Sequence, residues 1–121
     1  MSRIALLFQA VVLVSLLSAF TVHNEQLLST SLRVTVLNDL GNLVPGATVT
    51  VYANEEDYRN SVNPVKPAQE TNEKGRVSFK KLEPTVYFLD VTMGDLNNVG
   101  LAVQTDTLKS NLINKVNIII E

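Results

Sequence analysis

The chain has no cysteine, no tryptophan and a single histidine, His23, among its 121 residues. Without thiols there are no disulfide staples and no cysteine nucleophile. A Ser–His–Asp or Cys–His arrangement also needs an imidazole as base. His23 precedes every patterned segment and reads as a solvated tail residue. Zinc needs three or four His, Cys or carboxylate ligands, so neither zinc nor any other metal or cofactor is expected. Calcium would suit hard oxygen ligands, but no Asp-x-Asp-x-Asp-Gly spacing is present. Basic charge is also sparse, with ten Lys and Arg against twelve Asp and Glu. That leaves no cationic face of the kind that displaces counterions from nucleic acid.

What is present divides the chain in two. Arg3 is the only charged residue before Glu25, and Ile4 to Phe20 is apolar apart from Gln9, Ser15 and Ser18. A basic start, an apolar stretch and small residues near Ser18-Ala19 describe a helical secretory signal segment. Cleavage is expected after Ala19, with Thr21 as the second option. The competing reading is an uncleaved membrane anchor, because the stretch sits at the short end of the roughly 17–25 residues that span a bilayer. No cysteine follows it, so lipoprotein acylation is not expected. The organisation is therefore a signal segment over 1–19, a polar leader over 20–31 and one domain over 32–121, exported to the periplasm, the cell surface or the medium.

From Leu32 the apolar period is two, the signature of half-buried strands. Leu32, Val34 and Val36 alternate with Arg33 and Thr35. Asn38-Asp39-Leu40-Gly41-Asn42 then supplies turn chemistry, since Asn and Asp bond nearby backbone and Gly permits positive φ. After Pro45-Gly46, residues Ala47, Val49, Val51 and Ala53 face one way, and Thr48, Thr50 and Tyr52 the other. Asn54 to Ala68 is a long interruption. Within it Asn54 can cap one helical turn whose first residues, Glu55, Glu56 and Asp57, suit the positive end. Pro64 and Pro67 forbid more helix. Gln69-Glu70-Thr71 reads as a short edge strand. Val77 and Phe79 point inward, as do Tyr87, Leu89, Val91 and Met93, while Phe88, Asp90 and Thr92 point out. Asp95 to Gly100 reads as a loop, Leu101 to Gln104 as a short strand, and Ile113 to Ile120 as the closing strand with Val116, Ile118 and Ile120 on one face. The expectation is all-β: an antiparallel sandwich of six or seven strands.

The ordered set Asp39, Gly41, Pro45-Gly46-Ala47, Val49, Val51, Thr71, Gly75, Val77, Phe79, Leu82, Tyr87, Leu89 and Val91 resembles the carboxypeptidase regulatory-like domain, a transthyretin-like Greek-key sandwich. Pro84-Thr85-Val86 departs from it, standing where that family usually has Gly. Glu55 to Tyr58 together with Asn63-Pro64-Val65 is similar to short exported proteins of Bacteroidetes-type bacteria. The resemblance implies a non-catalytic extracytoplasmic module. It does not imply the hydroxyisourate hydrolases of the same fold, whose Tyr-Arg-Gly-Ser signature is missing. Related pilin modules carry Lys–Asn isopeptide staples, but the first strand here offers Arg33 and no Lys, and no Glu lies in the strand of Leu89.

The candidate contact residues are Tyr52, Glu55, Glu56, Asp57, Tyr58 and Phe88. Tyr52, Phe88 and Tyr58 could stack on a sugar; the preferred reading is that they cover a sheet face. The three carboxylates could serve glycoside hydrolysis; the preferred reading is that they are partners of the helix dipole. The chain thus reads as a binding or structural module with a protein or glycan partner in the envelope. The alternatives are a small exported hydrolase or an accessory subunit tethered by a retained first segment. A free edge near Gln69 would allow strand addition by a partner.

Overall fold

The computed structural model describes residues 29–121, so the expected signal segment over 1–19 and most of the expected leader over 20–31 lie outside the described residues. Among these residues seven strands form two sheets. β1 (Ser31–Asn38), β4 (Arg76–Phe79) and β7 (Ile113–Ile120) make one, in the order β4-β1-β7. β2 (Thr48–Tyr52), β3 (Gln69–Glu70), β5 (Phe88–Met93) and β6 (Leu96–Asn97) make the other, in the order β3-β2-β5-β6. One short helix, α1 (Glu55–Asn60), joins β2 to β3.

Alternation does the work that disulfides do elsewhere. Leu32, Val34 and Val36 of β1 meet Val49 and Val51 of β2, Phe79 of β4, Leu89 and Val91 of β5, and Ile118 and Ile120 of β7 in one buried cluster. Each large side chain placed there contributes about 1.5–3 kcal/mol relative to exposure. Polar atoms inside are paired: among the described residues no buried side-chain nitrogen or oxygen lacks a hydrogen-bond partner.

The turns follow the chemistry of their residues. The Asn38 Oδ1 accepts from the N–H groups of Leu40 (3.0 Å) and Asn42 (2.9 Å), and Gly41 takes φ of 83°. Asn72 repeats the device, accepting from Lys74 and Arg76. Thr71 fastens the Pro45-Gly46 turn, because its hydroxyl donates to the Val44 carbonyl (2.7 Å) and accepts from the Ala47 N–H (2.9 Å). The Tyr87 hydroxyl ties back to the backbone of Glu83 through both its lone pair and its proton, the corner seen in immunoglobulin-like sandwiches.

Several expectations need correction. The four-stranded sheet is antiparallel throughout, but the three-stranded sheet is mixed, since β7 runs parallel to β1 over its whole length. A parallel neighbour needs a crossover, and the long segment from Asn98 to Leu112 carries the chain from one layer to the other. The strand expected at Leu101–Gln104 is reduced to a single bridge between Gln104 and Phe88, while Leu96–Asn97, expected in a loop, pairs with Thr92 and Met93. Ala53 is exposed, because β2 has ended and the chain has turned toward the helix cap. Met93 is 40% exposed. It sits beyond the interior in the β5–β6 hairpin, with its thioether lying over Gly46.

Candidate functional site

The outer face of the four-stranded sheet carries the most distinctive cluster. β2 and β5 pair so that Thr48 faces Thr92, Thr50 faces Asp90 and Tyr52 faces Phe88. These side chains all point away from the interior, as alternation requires. α1 then lies over one end of this face. Asn54 starts the helix, its Oδ1 accepting from the Asp57 N–H at 2.8 Å. Ser61 ends it in the left-handed conformation, and its N–H and that of Val62 bond back to the carbonyls of Tyr58 and Asp57. The turn so fixed sends Tyr58 down onto the sheet.

Tyr58 meets the edge of Tyr52 with centroids 6.1 Å apart and planes at 74°, and lies 6.3 Å from Phe88 at 34°. Such separations fall in the favourable aromatic range. Tyr52 is almost wholly buried beneath this cover, while Tyr58 and Phe88 stay half-buried. Beside them Asp90 is held above the ordinary carboxylate value by burial. Burial also raises the Tyr58 phenol, and the Asp90 charge raises it further. The face thus combines ring edges, a row of threonine hydroxyls and one partly desolvated carboxylate, Asp90. That chemistry suits hydroxyl-rich or amide-bearing surfaces.

The structure brings Tyr52, Tyr58 and Phe88 together and sets the expected carboxylates apart from them. Glu55 pairs with Arg59 one turn on. Asp57 accepts from the Asn54 side-chain amide at 3.2 Å, and Glu56 shares a shallow surface recess with Arg59 and Asn60. Among the described residues no group of three or more His, Cys, Asp or Glu side chains could hold a metal ion. Asp90 and Thr50 were not among the candidates, although the alternation that marked Phe88 as outward marks both equally.

A second feature not anticipated from sequence is Asn98, fully buried in what read as loop. Its Oδ1 accepts from the Val91 N–H at 3.0 Å, and its Nδ2 donates to the carbonyls of Leu89 (2.9 Å) and Ala102 (3.2 Å). The side-chain amide therefore stands in for a strand along the outer edge of β5. Val103 and Thr105 continue that edge by bonding Leu89 and Tyr87.

The family profile described as SMCHD1 Ig-like domain 6 matches residues 9–87, more than half of the chain. The chain belongs to this family of Ig-like domains. The match takes in β1 to β4 and ends at Tyr87, the residue of the tyrosine corner. Among solved structures, this Ig-like domain is similar to the Bacillus anthracis TIE protein, at 13% identity and a TM-score of 0.47, over 76% of this chain and 16% of that one. It is also similar to chlorocatechol 1,2-dioxygenase from Pseudomonas putida, at 17% identity and a TM-score of 0.45, over 77% of this chain and 61% of that one. The chain thus spans only part of either protein. No curated protein sequence matches it.

Proposed function

We propose that this Ig-like domain is a non-catalytic module, exported by its apolar N-terminal stretch, that binds a protein or glycan of the cell envelope through the outer face of β2 and β5. The observation that carries the reading is the Tyr52–Tyr58–Phe88 cluster with Asp90 at its side. Tyr58 covers Tyr52, yet Tyr58 and Phe88 themselves stay half-buried, and half-buried aromatics with a hydrogen-bonding neighbour suit the anchor of an interface. The motif order from Asp39 to Val91 supports the finer reading of a carboxypeptidase regulatory-like sandwich, in which the Thr71 clamp on Pro45-Gly46-Ala47 is the fastening that motif would require. The hydrolase alternative draws less support, because Glu55 and Asp57 are engaged within α1.

The test is capture of envelope proteins from extract alongside binding to a glycan array, with the unaltered chain and with Tyr58→Ala and Phe88→Ala. The expected result is one reproducible class of ligand, bound at least about tenfold more weakly by both variants while circular dichroism stays unchanged. Equal binding by all three proteins would rule out this face.

A further inference from the structure

Two sheets present four edges, and three of them are blunted in the usual ways. β3 has two residues and follows Pro67. β4 has four, opened by Arg76 and followed by Lys80 and Lys81. β6 has two, and its Asn97 is bonded to Glu121. β7 differs: it runs for eight residues in unbroken register with β1, without proline and with Lys115 as its only charge.

The phase of its backbone is fixed at both ends. The Ser31 N–H donates to the Leu112 carbonyl at 3.0 Å, so even-numbered residues of β7 turn their backbone groups toward β1. Glu121 gives its N–H to the Asn97 carbonyl (3.0 Å) and accepts from the Asn97 N–H (3.3 Å), so odd-numbered residues turn away. Ile113, Lys115, Asn117 and Ile119 therefore aim N–H and C=O at the open side, and among the described residues nothing takes them. A groove of about 370 Å3 opens beside the first half of this edge, between Ile113 to Val116 and the Thr105 to Lys109 segment.

We propose that β7 pairs antiparallel with β7 of a second copy about a two-fold axis at Val116, joining the two three-stranded sheets into one. The side chains select both occupant and register. About Val116, Ile113 lies opposite the second copy's Ile119 and Lys115 lies opposite its Asn117. The isoleucines, 55% and 46% exposed in the single chain, then cover one another. An axis at Lys115 would set two ammonium groups face to face, which is destabilising. An axis at Asn117 would require the Glu121 backbone, already held by Asn97. A one-residue slip opposes edge-facing groups with groups turned to β1 and forms no ladder.

Sedimentation equilibrium of the exported chain, in detergent if the apolar start is retained, tests this across micromolar concentrations. A reversible monomer–dimer equilibrium is expected. Asn117→Pro removes only an outward N–H and is expected to weaken association at least about tenfold with the fold intact. If that variant does not fold, Ile113→Glu at the surface reads the same interface, and adding Ile119→Lys restores association by opposing the charges. Monomer at every concentration, or a dimer indifferent to these substitutions, overturns the proposal. So does a monomer whose Lys115 and Asn117 amides exchange slowly, which would mean that residues before 29 cover the edge.

Discussion

At the residue scale, the account rests on side chains that replace backbone. Asn98 supplies the acceptor for Val91 and the donor for Leu89. Asn98→Ala would leave both groups buried and unpaired, at about 1–3 kcal/mol for each such group. Urea denaturation is expected to show a loss of that order, and Asn98→Asp, which keeps the acceptor but buries a charge, is expected to lose at least as much. Asp90 works in the opposite direction. Burial holds its folded-state pKa above the ordinary 3.8, so the folded protein keeps the proton that the unfolded chain releases. Stability from this group is full below 3.8 and falls as pH rises through the higher folded value. Asp90→Asn is therefore expected to melt at higher temperature than the parent at neutral pH, with the gain vanishing once pH drops below about 4. A pH-independent difference between the two melting curves would contradict the burial of this carboxylate. Asp90 was legible as an outward residue. Its burial was not, because that depends on where α1 lies. Asn98 was illegible for a related reason: a polar residue beside Asn97 and ahead of Val99-Gly100 carries loop chemistry locally, and only the approach of β5 makes it a strand surrogate.

At the element scale, period-two alternation identified β1, β2, β4, β5 and β7 and their inward residues, with Ala53 and Met93 lying past the limits of the interior. Alternation reads the same in both chain directions, which is why the parallel pairing of β7 with β1 could not be taken from it. The short helix was readable because its start is local chemistry, an Asn followed by three carboxylates. Turns were readable for the same reason, and one glycine gives a sharp test. Gly75 sits at φ of 68°, where a Cβ would stand 3.0 Å from the Val36 carbonyl oxygen and 3.1 Å from the Val44 nitrogen. Gly41 has φ of 83° with nothing within 4 Å. Gly41→Ala is expected to show only the left-handed strain, about 1–2 kcal/mol, and Gly75→Ala distinctly more, because backbone must move. Equal shifts in the urea midpoints would contradict the packing of the Asn72–Gly75 turn against β1.

At the scale of the whole molecule, a domain without cysteine holds two sheets together by one shared interior and by sealing most of its edges. The outer edge of β5 is filled by β6, the Asn98 amide and the Val103–Thr105 backbone. The β7 corner is closed where Glu121 meets Asn97. Both sheets should then open as one cooperative unit. Native-state hydrogen exchange tests this most directly. The amides of Val36 in the three-stranded sheet, bonded to Gly75 at 2.8 Å, and of Leu89 and Val91 in the other, bonded to Val103 at 2.7 Å and to Asn98 at 3.0 Å, are predicted to exchange only through global unfolding, with one common free energy. Slow exchange at Val36 beside loop-like exchange at Leu89 and Val91 would contradict a single interior joining the two layers.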